Sequence, residues 1–170
     1  MQKADTEKQF EKHIEEHQAL LYKICRLYAG TSPDRDDLFQ EIVMQLWKAY
    51  PKFRSDSQFS TWLYRVAINT AITGLRKKKQ LVVSYEEAQT QEAAAPENSN
   101  TDEEEQMQQM YEAIEQLDSV EKAIIMLYME ERTYSEMEDI LGIGQGNLRV
   151  KMNRIKDKLR RITKINSYGT

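Results

Sequence analysis

The residues best equipped for chemistry in this chain are cations and amides on one stretch, Thr133 to Ile162. From Gln145 onward it carries Arg149, Lys151, Arg154, Lys156, Lys158, Arg160 and Arg161, with Asp157 the only acid. Gln145, Asn147, Val150 and Asn153 stand among those cations. Guanidinium and ammonium groups neutralise phosphates, amides read base edges, and a valine suits the methyl group of thymine. Leu148, Met152, Ile155, Leu159 and Ile162 recur at spacings of 4, 3, 4 and 3, which places them on one stripe of a helix. Val150 lies roughly opposite that stripe, where a valine has no packing task. The pattern predicts a helix that packs on one side and meets an anion on the others. A merely solvated basic face has the same composition, so charge by itself leaves both readings open.

No other constellation competes with it. The sequence presents no nucleophile beside a base, no acid–base dyad and no metal cluster. The glycines of LGIGQG lack the Lys-Ser/Thr of a phosphate-cradling loop and fall between helices rather than after a strand. His13 and His17 are the only histidines, four residues apart at a spacing open to a metal, but Glu11, Glu15 and Glu16 around them read as an ordinary polar face. No enzymatic activity, catalytic residue, cofactor or metal is expected. Cys25 is the single cysteine and has no intramolecular disulfide partner; it reads as a small apolar residue buried in a helix, in a reducing compartment.

A turn and a shorter helix must position the basic helix. Thr133 and Glu136 have the spacing of a capping box, in which the two side chains satisfy each other's orphan backbone donors. Gly142 and Gly144 bracket Ile143 and are expected to supply permissive dihedrals for the turn, while Ile143 reaches back to the core. Such a helix-turn-helix puts the start of its second helix in a DNA major groove. Gln145, Asn147, Arg149, Val150 and Asn153 are then nearest the base edges, and Arg149, Lys151, Arg154, Lys156 and Arg160 mostly meet phosphates.

The elements upstream are also helical. Asp118 with Glu121 caps a helix carrying Val120, Ile124, Ile125, Leu127 and Tyr128, and the acids Asp102 to Glu105 open another with Met107, Met110, Tyr111, Ile114 and Leu117 on one side. The methionines are read as core filling. Near the N-terminus one helix is expected from about Glu7 to Tyr28, with Phe10, Ile14, Leu21, Ile24 and Tyr28 on a shared face. Ser32-Pro33 reads as a capped restart, with Asp34, Asp36 and Asp37 at the positive end of the next helix. That helix, Asp37 to Tyr50, has two apolar strips, Leu38, Ile42, Leu46, Tyr50 and Phe39, Val43, Trp47. One fills a core, leaving the other for a partner or a second packing surface. Pro51 ends it.

After a polar turn, a helix from about Phe59 to Lys79 aligns Trp62, Val66, Asn69, Thr73 and Arg76, with Leu63, Ala67 and Ile72 beside them. It ends in Arg76, Lys77, Lys78 and Lys79. Those cations either complement the helix dipole or form a nucleic-acid surface in which bases stack and phosphates are neutralised.

The net charge of −4 over 170 residues conceals an uneven distribution. Residues 1–80 sum to +4, residues 81–130 to −12 and residues 131–170 to +4. Local fields therefore decide what each end binds. No run approaches a membrane span and the N-terminus has no signal-peptide core, so a soluble, cytoplasmic protein without membrane insertion is expected. The fold expected is all-α: a helical domain at 1–82, an acidic flexible linker at 83–101, and a four-helix domain at 102–170 ending in the helix-turn-helix.

With these motifs in order, the chain resembles the sigma-70 family, specifically the compact two-domain extracytoplasmic function group. DDLFQEIVMQLWKAY resembles the family helix that docks on the polymerase clamp helices, and the resemblance implies contact with RNA polymerase core through Asp37, Leu38, Gln40, Glu41 and Trp47. FSTWLYRVAINTAITGLRKKK resembles the helix that melts promoters and meets the minus-ten element, with Trp62, Leu63, Asn69 and Arg76 matching and Lys77, Lys78 and Lys79 following. TYSEMEDILGIGQGNLRVKMNRIKDKL resembles the minus-thirty-five reader. Ile68 and Thr73 stand where the family often has Arg and Asp, Gly144 where Ser commonly caps, and Asp118 where Pro is frequent. The resemblance implies promoter recognition, promoter melting and transcription initiation, with RNA polymerase core and promoter DNA as partners and the anti-sigma factor that such proteins often have. Two rivals remain: a helix-turn-helix regulator that binds duplex DNA without polymerase, and a helical adaptor that binds only proteins.

Overall fold

A computed structural model describes residues 2–54, 58–84 and 102–168, leaving aside the side chains at 76, 78–84 and 165–168. Among the described residues all regular structure is helical, and the chain divides into two compact units, Met1–Ala93 and Ala94–Thr170. Most of the expected linker, residues 85–101, lies outside the described residues.

The first unit is built from α1 (Gln2–Glu16), α2 (Gln18–Tyr28), α3 (Ser32–Ala49) and α4 (Phe59–Ser84), with a single 3-10 turn at Tyr50–Lys52. Leu21, Ile24 and Cys25 of α2, Ile42 and Leu46 of α3, and Leu63, Ala67 and Ile68 of α4 are fully buried together. Truncating one of the larger of these to alanine costs about 2–5 kcal/mol. Cys25 lies in this core, and burial, aided by the charge of Asp36, pushes its thiol up to about 11.

The single helix expected from Glu7 to Tyr28 is instead two. His17 leaves the helical region (φ −111°, ψ 12°), and its amide is shared between the carbonyls of His13 and Ile14, each at 3.2 Å. Its ring Nδ1 lies 2.8 Å from the His13 carbonyl. A side chain competing for a backbone acceptor is the physical cause of the break. The cap of α3 also differs from expectation. Thr31, not Ser32, accepts from the Asp34 amide at 3.3 Å, and Ser32 and Pro33 are already helical. At its far end α4 continues to Ser84, because nothing in Lys77 to Ser84 breaks a helix.

The second unit consists of α5 (Asp102–Glu115), α6 (Ser119–Met129), α7 (Tyr134–Leu141) and α8 (Gln145–Tyr168). Both capping boxes form. Asp118 accepts from the Glu121 amide at 2.8 Å while Glu121 accepts from the Asp118 amide at 3.0 Å; for Thr133 and Glu136 the distances are 3.2 and 2.9 Å. Ile124 and Leu127 of α6, Met137 of α7, and Leu148, Met152 and Ile155 of α8 fill the core.

Two expectations are corrected here. Met107, Met110 and Met129 are exposed, Met107 by 58%, so the methionine pattern of α5 marks its outer side; Met126, Met137 and Met152 do fill the core. Of the two turn glycines, Gly142 alone is left-handed, at φ 69°. Ile143, between them, is half-buried. The second left-handed residue falls elsewhere: Glu131 has φ 57°, with Glu131 N–H on the Tyr128 carbonyl and Arg132 N–H on the Leu127 carbonyl, both 3.0 Å. This is a Schellman ending of α6 with glutamate where glycine is usual.

Candidate nucleic-acid interface

In the second unit α8 presents its outer line as the stripe demanded. Leu148, Met152 and Ile155 are buried, whereas Asn147, Arg149, Asn153, Arg154 and Arg160 are exposed and Val150 is 50% exposed. Gln145, Lys151 and Lys156 are half-buried. A helical turn of 3.6 residues puts Asn147, Val150, Asn153 and Arg154 on the side away from the core.

The flanks of α8 are tethered to its own unit. The Arg149 guanidinium lies 5.0 Å from the centre of the Tyr134 ring. Lys156 Nζ sits 4.6 Å over the Tyr128 ring and donates to its hydroxyl at 3.2 Å. On the other flank Lys158 pairs with Glu121 at 3.0 Å. A groove of about 840 Å³ opens where Thr133, Tyr134 and Ser135 of the first recognition element meet Gln145 and Arg149. Tyr128 and Tyr134 were not among the expected site residues. They lie 28 and 15 positions before the cations they hold, beyond the reach of helical periodicity.

In the first unit α4 carries Asn69 and Lys77 exposed and Trp62 half-buried. The side chains of Arg76, Lys78 and Lys79 lie outside the described residues. Asn69, Thr73 and Lys77 face Glu41 and Gln45 of α3 across a groove of about 440 Å³. Gln45 donates to Glu41 at 2.8 Å, fixing one wall of that groove. Arg65, exposed one turn from both Trp62 and Asn69, shares this face and was missed, although its spacing could have found it. Ile68, where the family often has Arg, is 1% exposed and belongs to the core.

Of the five residues expected to dock on polymerase, Asp37, Gln40, Glu41 and Trp47 are exposed and Leu38 is half-buried. Asp37, Leu38 and Glu41 line a groove of about 260 Å³ floored by Tyr28, Ala71 and Leu75. Trp47 stands on the opposite flank of α3, 37% exposed, with its ring 5.0 Å from Phe10. Phe39 is stacked on Tyr22 at 4.8 Å and 13°. The Phe39, Val43, Trp47 strip thus serves in part as a second packing surface, with Phe39 against α2 and one side of Trp47 against α1.

His13 and His17 meet a ring rather than each other's lone pairs: both pack on Phe59, at 4.3 and 5.2 Å between ring centres. Phe59 in turn contacts Trp62 at 5.3 Å, and Phe53 and Tyr50 complete the cluster around Trp62. Among the described residues no helix is long and apolar enough to cross a membrane.

Two family models match the chain, Sigma-70 region 2 over residues 13–80 and Sigma-70, region 4 over residues 107–159. The ECF RNA polymerase sigma-E factor of Escherichia coli strain K12 is 30% identical over 151 residues, which cover 81% of this chain and 79% of that protein. The ECF RNA polymerase sigma factor SigW of Bacillus subtilis is 25% identical over 152 residues, 83% of this chain and 81% of its own. Among solved structures, the sigma factor RpoE of Bartonella quintana, crystallised with the anti-sigma factor NepR, matches with a TM-score of 0.75 at 20% identity over 93% of this chain and 98% of its own. CnrH, in complex with the cytosolic domain of CnrY, matches with a TM-score of 0.63 at 17% identity over 94% and 90%. These two likenesses establish a shared fold; the sequence matches establish kinship. The chain belongs to the sigma-70 family as an extracytoplasmic function (ECF) sigma factor, a non-catalytic protein that directs promoter recognition and transcription initiation with RNA polymerase.

Proposed function

We propose that this sigma factor divides promoter recognition between a duplex reader, residues 102–170, and a strand trap that also docks on polymerase, residues 1–82, tethered by residues 83–101. In the duplex reader, Asn147 and Val150 lie nearest the bases of the minus-thirty-five element, with Gln145 and Asn153 beside them. Arg149, Lys151, Arg154, Lys156 and Arg160 set register on the phosphates. In the strand trap, Trp62 offers a ring to unstacked bases of the minus-ten element, Asn69 a base-reading amide, and Arg76, Lys77, Lys78 and Lys79 the phosphate charge. Asp37, Leu38, Gln40, Glu41 and Trp47 contact polymerase core.

One observation carries this reading: a half-buried tryptophan packed among other rings stands on the same helix face as the polar groove of Asn69, Thr73 and Lys77. A stacking platform beside hydrogen-bonding groups suits a separated strand better than a closed duplex. A regulator limited to duplex DNA leaves that face without a task. An anti-sigma partner is proposed because one structural neighbour is seen with an anti-sigma factor and the other with the cytosolic domain of CnrY. The site of action proposed is the cytoplasm, where promoter DNA and polymerase are.

The test is reconstituted transcription with RNA polymerase core and a promoter library. Specific initiation dependent on both promoter elements is expected; binding of duplex without initiation would return the protein to the simple regulators. Charge reversal at Asp37 and Glu41 is expected to weaken core capture, and undiminished capture removes the docking face from the reading.

A further inference from the structure

We propose that His13 and His17 are positioning residues for Trp62, acting through Phe59. The inference rests on the reading of Trp62 as the platform for opened bases. Trp62 is near three rings, Phe53 at 5.0 Å, Phe59 at 5.3 Å and Tyr50 at 6.3 Å, so its pose follows from where those rings are. Phe59 is the first residue of α4, where a helix end has the least intrinsic order. Phe53 meets its ring edge-on at 5.5 Å, and the histidine pair holds it from α1 and the break after it: His13 stacks on it at 4.3 Å with planes 21° apart, and His17 approaches at 5.2 Å and 55°.

The break between α1 and α2 makes this possible. Residues four apart on a straight helix lie one above the other and point the same way, whereas at His17 the backbone turns aside at φ −111° and ψ 12°. A carbonyl oxygen only accepts, so the 2.8 Å contact with the His13 carbonyl requires His17 Nδ1 to carry a hydrogen. That bond fixes the orientation of the ring that reaches Phe59. The irregularity that divides the N-terminal helix is therefore also what closes a two-ring clamp on the residue supporting Trp62. The chemistry required is an aromatic ring at each position, not an imidazole: phenylalanine serves there and alanine does not.

The experiment uses the full chain with RNA polymerase core, a promoter chosen from the library and labelled with 2-aminopurine in its minus-ten element, and the same promoter premelted by mismatches. The double variant His13→Ala, His17→Ala is expected to open the duplex promoter about 10-fold more slowly, given two lost ring contacts. Core capture and initiation from the premelted template are expected to stay at the parent level, a split that general loss of folding does not produce. The pair His13→Phe, His17→Phe is expected to restore opening to within about 2-fold. Parent-rate opening by the alanine pair, or failure of the phenylalanine pair to restore it, overturns the proposal. If the alanine pair does not fold, His13→Leu, His17→Leu decides, since it keeps apolar bulk without rings: slow opening supports the clamp and normal opening overturns it. Trp62→Ala in the same assay separates the two layers of argument. Normal opening by that variant removes the platform itself, whereas slow opening with unaffected histidine variants removes only the clamp.

Discussion

The two helices proposed to meet DNA hold their site residues by different means. On α8 cations have individual tethers: Lys158 on the Glu121 carboxylate, Lys156 on the hydroxyl and ring of Tyr128, and Arg149 on the ring of Tyr134. The preceding α7 is capped reciprocally by Thr133 and Glu136. On α4 the central residue, Trp62, packs among the rings of Phe53, Phe59 and Tyr50, and its polar neighbours line a groove against α3. The difference follows from the substrate each helix is proposed to meet. An intact duplex offers phosphates at fixed spacing, so a reader gains from charges held in register. A strand being separated offers apolar base faces in place of base stacking, so a trap gains from a ring whose apolar contacts are already arranged.

Breaking the charge side of this contrast has the largest expected effect. Arg149→Ala with Arg154→Ala is expected to lower affinity for a minus-thirty-five duplex about 100-fold and to flatten the logarithmic salt dependence by about two units. Fluorescence anisotropy across a salt series measures both. An unchanged slope means that neither cation meets phosphate. Removing the ring side has the next largest effect. Trp62→Ala is expected to slow promoter opening about 10- to 100-fold, because stacking on one ring contributes roughly 1–3 kcal/mol. The salt slope of duplex binding should stay where it was, and a change in that slope would merge the two mechanisms the structure keeps apart.

The same contrast explains what was legible in the sequence. Much that depends on neighbours within a turn or two could be read: the two capping boxes, the buried stripe of Leu148, Met152 and Ile155, the exposure of Val150, and the all-helical division into two units. The ring cluster around Trp62 was not legible, because it gathers Phe10, His13 and Phe59 from positions separated by up to about fifty residues, and periodicity carries no signal over that distance. The break at His17 was hidden for a different, local reason. Its cause is a side chain bonding to the backbone, and the sequence there, IEEHQAL, contains no glycine or proline to announce it. The exposed Met107 and Met110 mark a third limit, since an apolar stripe reports a shared face but not whether that face is covered.

A smaller effect tests the scaffold beneath α8. Glu131 adopts a left-handed backbone at the end of α6, where the Cβ of any L residue costs about 1–2 kcal/mol that glycine does not. Glu131→Gly is expected to stabilise the second unit by about 1 kcal/mol, partly offset by the greater freedom of glycine in the unfolded chain. The carboxylate also lines the groove beside Arg149, so its removal should strengthen duplex binding modestly at low salt and less at high salt. Thermal melting of the second unit measures the first effect and anisotropy the second. A variant no more stable than the parent would show that the turn relaxes around glutamate.

The smallest effect bears most directly on whether the two helices differ in kind. Arg149 lies over the ring face of Tyr134, as Lys156 lies over that of Tyr128, so at these residues the duplex reader borrows the device of the strand trap. An exposed cation–π contact contributes about 0.5–1 kcal/mol, so Tyr134→Leu is expected to weaken duplex affinity about 2- to 5-fold with the salt slope intact, since the guanidinium keeps its charge and loses only its orientation. Tyr134→Phe retains the ring and should bind as the parent does. If phenylalanine instead binds as weakly as leucine, the hydroxyl is the working group, as a donor to the DNA backbone from the start of α7. The ring contact at Arg149 would then carry no duplex affinity, and Lys156 over Tyr128 would be left as the ring-held cation of α8.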